Sequence, residues 1–220
     1  HLSLRRQRQM CIRDSPNPAY PIYESVINFV GATAVPLRLS EERGFSFNID
    51  DLRSKVTSRT KMIVINSPHN PCGSMLSLED LEGIADIAKK HDLVVLSDEI
   101  YSRLVYEGEF YSITRFPGMM ERTIILDGFS KTYAMTGWRL GYGVMPEELA
   151  VQVARLMTNS NSCTATFTQI AGVEALKGPQ EESYKMVAAF KERRDIIVKG
   201  LNDIPGISCL MPKGAFYVFP

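Results

Sequence analysis

The sequence predicts an α/β fold in which a mostly parallel sheet is flanked by helices on both faces. Two observations indicate this class. Short runs of apolar, β-branched residues alternate with helix-sized amphipathic segments, and these runs are apolar throughout rather than at every second position. Continuous apolar strands are typical of parallel sheets that are buried on both faces. The predicted strands are residues 34–39, 62–66, 93–97 and 123–127.

The helical segments have recognisable starts. Ser77 can cap a helix that begins at residue 78, because Asp80 occupies the reciprocal position of a capping box and an apolar stripe follows. Pro146 and the two acids after it predict the start of another helix, which we expect to pack through an apolar face. That face is made of Leu149, Val153 and Leu156. Further helices are predicted over 164–176 and 180–201, and two strands over 207–210 and 215–219.

Composition restricts the possible classes of function. The 25 basic and 25 acidic residues give a formal net charge of zero, which provides no electrostatic case for a nucleic-acid or membrane partner. No apolar run approaches the roughly 20 residues of a membrane span. The four cysteines have neither CxxC pairing nor histidine partners, so they predict reduced thiols in a cytoplasmic protein and no metal site.

The sequence divides into three parts. Residues 1–15 carry four arginines and no acid before Asp14, and they resemble translated sequencing-adapter sequence, so we expect a leader that is foreign to the fold. Residues 16–178 form the predicted large domain, and residues 179–220 form the start of a small α+β domain. The chain stops within a predicted strand, which leads us to expect a fragment that lacks both ends of its parent.

Polar side chains follow three successive strands of the predicted sheet. Asn70 comes after the strand at 62–66, Asp98 and Tyr101 follow the strand at 93–97, and Ser130 and Lys131 follow the strand at 123–127. Ligands of open parallel sheets bind beyond the carboxyl ends of the strands. We therefore expect these five side chains to meet at one edge of the sheet.

Four stretches carry a family resemblance. NSPHNPCG, SDEIY and GFSKTYAMTGWRLGY resemble the motifs of the pyridoxal-phosphate-dependent aminotransferases of class I/II, the aspartate aminotransferase superfamily, and PKGAFYVFP (212–220) resembles the strand that enters their small domain. The match keeps its order from about Pro18 to Pro220. It implies fold type I, pyridoxal phosphate as cofactor, amino acid and 2-oxo acid substrates, a ping-pong reaction and a homodimer with sites at its interface.

The residue types suit that cofactor. Lys131 offers the amine that holds the cofactor aldehyde as a Schiff base and then moves a proton during catalysis. Asp98 is an anion that would keep the ring nitrogen protonated. Tyr101 and Asn70 can donate hydrogen bonds to the ring's phenolate oxygen. Lys131, Asp98 and Tyr101 are therefore the predicted catalytic residues.

Three further residues complete the predicted cofactor site. Arg139, eight residues after Lys131, offers a bidentate fork for the phosphate group, and Ser130 adds a hydroxyl. By resemblance, Tyr20 of the PAYPIY stretch stacks on the ring. Gly128 stands where many relatives have serine, which predicts one phosphate hydroxyl fewer. The family's glycine-rich phosphate loop and its carboxylate-binding arginine are expected outside this chain.

Other functions fit some of the same residues. A carbon–sulfur β-lyase or a decarboxylase on this scaffold would need Lys131, Asp98 and Arg139 equally. A transcription regulator can also use an aminotransferase-like domain as a sensor, without catalysis. Asp98 and Glu99 after an apolar strand could serve a nucleotide hydrolase, but the GxxxxGK[ST] loop which that reading requires does not occur in the sequence. We expect Glu99 to be a structural ion-pair partner.

Overall fold

The computed structural model describes residues 11–12 and 15–220. In this part of the chain β-strands and α-helices alternate as far as the strand at Val94–Asp98, and three helices in succession follow the last strand; four short 3₁₀ turns lie between the elements. The strands are β1 (Cys11–Ile12), β2 (Ser15–Asn17), β3 (Pro36–Arg38), β4 (Thr60–Asn66), β5 (Val94–Asp98), β6 (Thr123–Gly128) and β7 (Gly141–Val144). The helices are α1 (Ile22–Phe29), α2 (Ile49–Lys55), α3 (Leu78–His91), α4 (Glu147–Ser160), α5 (Thr166–Lys177) and α6 (Glu181–Asn202).

A five-stranded sheet in the order β1-β4-β5-β6-β7 forms the centre of the fold. Its first four strands are parallel, and β7 pairs antiparallel with β6. The sheet confirms the predicted α/β class, and β4, β5 and β6 confirm three of the four predicted strands. The fourth prediction, residues 34–39, is wrong in its placement: β3 pairs with β2 in a separate two-stranded sheet.

The bounds and the packing of helix α3 follow from its N-terminal capping residues and its apolar face. The Ser77 hydroxyl accepts from the Asp80 amide, and the Asp80 carboxylate accepts from the Ser77 amide, so the predicted capping box is present. Leu81, Ile84 and Ala88 recur at helical spacing and are buried against the sheet. They belong to the main core, which also contains Ile63 of β4 and Val95 of β5 and fixes the register of both strands.

The predicted strands at 207–210 and 215–219 are wrong. Neither segment pairs as a strand in the described chain, and the isolated bridge between Gly214 and Val105 lies just before the second segment. Ala215 has φ 57°, in the left-handed region, which interrupts an extended conformation. The backbone instead bonds to loops: Gly214 N donates to Gly73 O at 3.0 Å, and Ala215 N donates to Leu104 O at 2.8 Å.

Residues 1–10 and 13–14 lie outside the described part, so most of the predicted leader is not described. Within it, Cys11–Ile12 pairs with β4 and Ser15 begins β2. The predicted domain boundary falls between the end of α5 and the start of α6, and the division into two domains remains a prediction. In the part of the chain that is described, no helix has the length and apolarity to cross a membrane.

Candidate active site

The carboxyl ends of β4 and β5 bring the first predicted residues together. Asn66 and Asp98 are register partners, and the Asn66 side-chain amide donates to Asp98 O at 3.1 Å. The backbone amide of Asn70 donates to Asn66 Oδ1 at 2.8 Å. The loop that carries Asn70 is therefore tied to the strand end that carries Asp98.

Asp98 is a half-buried carboxylate with two donors. The Tyr23 hydroxyl donates a short hydrogen bond to Oδ2, and the Ile100 amide donates to Oδ1 at 3.2 Å. Burial raises the pKa of Asp98 above its ordinary value, and these two hydrogen bonds partly oppose that effect. A cation placed beside this carboxylate would stabilise its charged form.

Lys131 lies on the same edge of the sheet. Its Nζ is 5.8 Å from the ring centroid of Tyr101 and 5.2 Å from that of Phe216. Its charge lowers the pKa of Asp98, as the smallest of the contributions to that carboxyl. Tyr101 is only 3% exposed, and burial raises the pKa of its hydroxyl. The structure thus assembles an amine, a carboxylate and a phenol in one place, as the strand ends predict.

Ser130 and Arg139 belong to one turn that follows β6. The Thr136 hydroxyl donates to Ser130 O at 3.0 Å, and Arg139 Nη1 donates to Thr136 O at 2.8 Å. Arg139 has φ 54°, a conformation that arginine rarely adopts. Its exposed side chain lines a groove of about 1130 Å³ between β7 and helices α4 and α5. The phosphate-binding roles of both residues remain predictions.

Gly128 has a packing reason for its identity. It is the register partner of Gly141 in the β6–β7 pair. A Cβ at position 128 would lie 2.9 Å from Gly141 Cα and 3.0 Å from Leu140 O. A serine at position 128 would therefore require the β6–β7 pair to move apart.

Tyr20 and Tyr23 lie together on the segment that enters α1. Their rings make an edge contact with centroids 6.1 Å apart. Tyr20 is 47% exposed, and it lies near enough to Tyr23 and Tyr101 to contribute to the raised pKa of both hydroxyls. The stacking role of Tyr20 remains a prediction.

Two buried polar residues lie beside the site. Glu99 accepts from Ser97 Oγ at 2.9 Å and from Ser112 Oγ at 2.7 Å. The expectation of an ion pair is wrong, because the salt bridges found in the described chain do not include Glu99. His69 is 3% exposed, and burial lowers its pKa to about 4.

Sequence reasoning missed three residues of the site. Tyr23 contacts Asp98, Phe216 lies under Lys131, and the Tyr217 hydroxyl is 2.6 Å from that of Tyr101. Each belongs to a stretch that the resemblance already marks, PAYPIY for the first and PKGAFYVFP for the other two. The available signal was an aromatic residue inside a motif, and nothing in the sequence identified its partner.

The chain is similar to known proteins over nearly its whole length. The family model described as Aminotransferase class I and II matches residues 14–220. An aspartate aminotransferase of Pyrococcus abyssi is 42% identical over 93% of this chain and 53% of its own length. An aromatic-amino-acid aminotransferase 2 of Thermococcus litoralis is 41% identical over the same shares of the two chains.

Solved structures show the same similarity in three dimensions. The crystal structure of an aromatic aminotransferase from Pyrococcus horikoshii OT3 superposes with a TM-score of 0.93 at 39% identity. The superposition covers 96% of this chain and 57% of that one. The present chain thus spans about half the length of the curated relatives it matches, 53% in both cases above.

Proposed function

The chain belongs to the aminotransferase class I and II family, and from this premise we propose that the protein transfers an amino group from an amino acid to a 2-oxo acid. Pyridoxal phosphate would be held as a Schiff base on Lys131, and the two substrates would react in turn by a ping-pong scheme. The observation that carries the proposal is the meeting of Lys131, Asp98 and Tyr101 at the carboxyl edge of the sheet.

The residues present fit this cofactor. Asp98 is a half-buried carboxylate, and its two donors, Tyr23 and the Ile100 amide, carry no positive charge. A protonated pyridine nitrogen would give this carboxylate a positively charged hydrogen-bond partner, which its two present donors do not provide. The Lys131 amine lies on the same edge and supplies the group that an aldehyde requires.

Each residue then has a defined task. Bound pyridoxal phosphate supplies an aldehyde that links to amines and a ring that withdraws electrons from the substrate's Cα. Lys131 Nζ would hold the cofactor at rest and would serve as the base that takes a proton from the substrate's Cα. Asp98 keeps the ring nitrogen protonated, and Tyr101 and Asn70 donate to the phenolate oxygen.

The remaining site residues orient the cofactor. Arg139 pairs with the phosphate through its guanidinium, and the Ser130 hydroxyl adds a hydrogen bond. Tyr20 covers one face of the ring. The amino acids to test first are aspartate and the aromatic ones, since relatives at about 40% identity are named for these substrates.

We also propose that the whole protein is a cytoplasmic homodimer. The three cysteines whose side chains are described are free thiols, which favours a reducing compartment. Large apolar side chains of α4 and α5 are exposed, including Leu156 at 67% and Phe167 at 69%. Exposed apolar surface of this extent is typical of an interaction site.

The attachment site is tested by incubating the protein with pyridoxal phosphate, reducing it with borohydride and mapping the adduct by peptide mass spectrometry. We expect a pyridoxyl adduct on Lys131 and its loss in Lys131→Ala. The matched control is Lys61→Ala, which removes an exposed lysine of β4 and should leave the adduct unchanged. The proposal would be contradicted by a folded wild-type protein that forms no selective adduct. It would also be contradicted by a Lys131→Ala variant that still forms the adduct.

Transamination is separated from the other reactions by its products. Release of a 2-oxo acid that depends on an added oxo-acid acceptor supports amino-group transfer. Pyruvate and ammonia formed without an acceptor would indicate a β-lyase instead. Asp98→Asn should weaken cofactor binding without abolishing it. It should also slow proton transfer from the substrate's Cα by roughly a factor of 100 or more, because the ring nitrogen would lose the anion that keeps it protonated.

A further inference from the structure

Tyr101 and Tyr217 bring two phenol hydroxyls together across 116 positions of the chain. Their oxygen atoms are 2.6 Å apart, and the rings meet edge to face with centroids at 5.6 Å. Tyr101 lies just beyond β5, whereas Tyr217 belongs to the segment 212–217 after α6. The contact therefore joins the predicted cofactor site to a part of the chain that supplies none of the residues predicted for that site.

Segment 212–217 is held in place by several bonds of its own. The amides of Lys213 and Gly214 both donate to Gly73 O, at 2.9 Å and 3.0 Å. Ala215 N donates to Leu104 O at 2.8 Å, and Ala215 O accepts a short hydrogen bond from the Tyr106 hydroxyl. These bonds hold residues 213–215 against the loops that follow β4 and β5. The position of the Tyr217 hydroxyl is therefore set by the fold.

A phenol hydroxyl has one hydrogen to donate and lone pairs that can accept. Under the proposed function, the hydrogen of Tyr101 points to the phenolate oxygen of the cofactor. The Tyr101 oxygen is then free to accept, and the Tyr217 hydroxyl lies at the right distance to donate. Successive hydrogen bonds polarise one another, so the second donor strengthens the first.

We propose that Tyr217 is a positioning residue of the cofactor site. Its hydroxyl donates to Tyr101 and thereby orients and strengthens the hydrogen bond from Tyr101 to the cofactor's phenolate oxygen. This inference rests on the proposed function, and it adds to that function a residue with no direct contact to the substrate.

The proposal can be tested through the pH midpoint of the cofactor's absorbance, because charged and titratable groups surround Tyr101 and Tyr217. Tyr101 interacts electrostatically with Asp98, Tyr20 and Tyr217, and Lys131 Nζ lies 5.8 Å from its ring centroid. A donor to the phenolate oxygen favours the form in which the nitrogen linking the cofactor to Lys131 has lost its proton. Removing the donor must therefore raise the pH midpoint of the cofactor's absorbance change.

The experiment is an absorbance titration of the whole protein loaded with pyridoxal phosphate. Tyr101→Phe should raise the midpoint by roughly 1 to 2 pH units, since a hydrogen bond to a charged group contributes about 1.5–3 kcal/mol. Tyr217→Phe keeps the ring packing and removes one hydroxyl. It should raise the midpoint by roughly 0.1 to 0.6 pH unit, the fraction expected from cooperative strengthening. The double variant should match Tyr101→Phe, because Tyr217 acts through Tyr101.

Tyr111→Phe is the matched control, since it removes a tyrosine hydroxyl whose exposed hydrogen bond goes to Glu109, outside segment 212–217. The absorbance midpoint of this variant should equal that of the wild type. An unchanged midpoint in Tyr217→Phe, a further shift in the double variant, or an equal shift in Tyr111→Phe would each overturn the inference. A wild-type protein that forms no bound chromophore would overturn the proposed function itself, together with this inference.

Discussion

At the scale of single residues, the pair Tyr23–Asp98 bears on the proposed role of this half-buried carboxylate beside a cationic ring. Burial raises the pKa of both groups, so each ionises less readily than in water. The Tyr23 hydroxyl donates to the carboxylate and lowers the cost of its charge without neutralising it. A neutral donor is therefore a better partner here than an arginine, which would remove the need for a cationic ring.

Tyr23→Phe tests this role. The variant keeps the ring and loses the donor, so the carboxylate should be less stable in its charged form and should hold the cofactor less tightly. We expect the dissociation constant for pyridoxal phosphate to rise roughly 3- to 10-fold, as for loss of one hydrogen bond. Tyr20→Phe is the control, because stacking requires its ring and not its hydroxyl. Equal affinities of Tyr23→Phe and wild type would contradict the role.

His69 gives a second prediction at this scale, about pH. Its Nε2 is buried without a hydrogen-bond partner among the described residues, and its Nδ1 accepts from the Cys72 amide at 3.5 Å. Burial lowers the pKa of His69 from 6.5 to about 4, so the unfolded chain binds a proton more readily than the folded protein. The stabilising effect of the neutral imidazole is present above pH 6.5 and is lost as the pH falls towards 4.

We therefore expect His69→Gln to flatten the pH dependence of stability. Between pH 7 and pH 4.5 the wild type should lose about 2 kcal/mol more unfolding free energy than the variant, as measured by urea denaturation at each pH. Asp98 and Glu99 have raised pKa values and act in the opposite direction, but they are common to both proteins. Parallel curves for the two proteins would show that His69 does not titrate as a buried neutral group.

At the scale of elements, the loop that carries Asn70 and segment 212–217 depend on each other. Gly73 has φ 67°, and a Cβ there would lie 2.5 Å from Pro212 Cβ and 3.1 Å from Gly214 O. Close approach of the two backbones thus requires glycine for space as well as for conformation. Since Gly73 O also accepts from the amides of Lys213 and Gly214, Gly73 contributes to the docking of the segment with Tyr217 both by its size and by its carbonyl.

Gly73→Ala should destabilise the protein by about 3 kcal/mol, from left-handed strain together with overpacking. Gly31→Ala is the matched control. It also has a positive φ, 76°, but its Cβ would meet nothing within 4 Å, so only the strain of about 1 kcal/mol remains. The difference in unfolding free energy between the two variants measures the packing contribution. Equal losses would mean that segment 212–217 moves away at no cost.

The elements also show how far local sequence determines structure. Helix α3 and strands β4 to β6 could be predicted because capping residues and apolar runs are local signals. Strand β7 was not predicted, since Gly141 and Gly143 give it no apolar run, and its pairing depends on Gly128 of β6. Residues 215–219 have the composition of a strand, but no neighbouring strand pairs with them in the described chain.

The candidate site also contains residues that could be predicted from the sequence and residues that could not. Asn70, Asp98, Tyr101 and Lys131 could be predicted from their order after successive strands, because topology alone brings parallel strand ends together. Tyr23 and Tyr217 could not, since their partners lie 75 and 116 positions away and depend on how loops pack. Sequence therefore indicates the groups that would face the cofactor better than the groups that support them.

At the scale of the whole molecule, helices α4 and α5 are exposed where packing was expected. The predicted apolar face of α4 is largely open, with Leu149 36% and Leu156 67% exposed, and α4 has no buried residue. Helix α5 buries only Thr168 and Gly172. Together with β7 these helices border the groove that Arg139 lines, so one exposed apolar surface adjoins one end of the predicted cofactor site.

This surface leads to the last prediction, that the protein self-associates through it. Phe167 is 69% exposed and lines the groove, so Phe167→Glu should place a charge where apolar surface would otherwise be buried. We expect sedimentation velocity to show a wild-type oligomer whose dissociation constant rises about 30-fold or more in Phe167→Glu, the effect of a loss of roughly 2 kcal/mol at an interface.

Met120→Glu is the matched control, because Met120 is 63% exposed in a short turn and does not line the groove. Unchanged circular dichroism in both variants would confirm that folding is preserved. A monomeric wild type, or equal weakening by the two substitutions, would contradict self-association through α4 and α5, because the effect would then depend on added charge and not on where the charge lies.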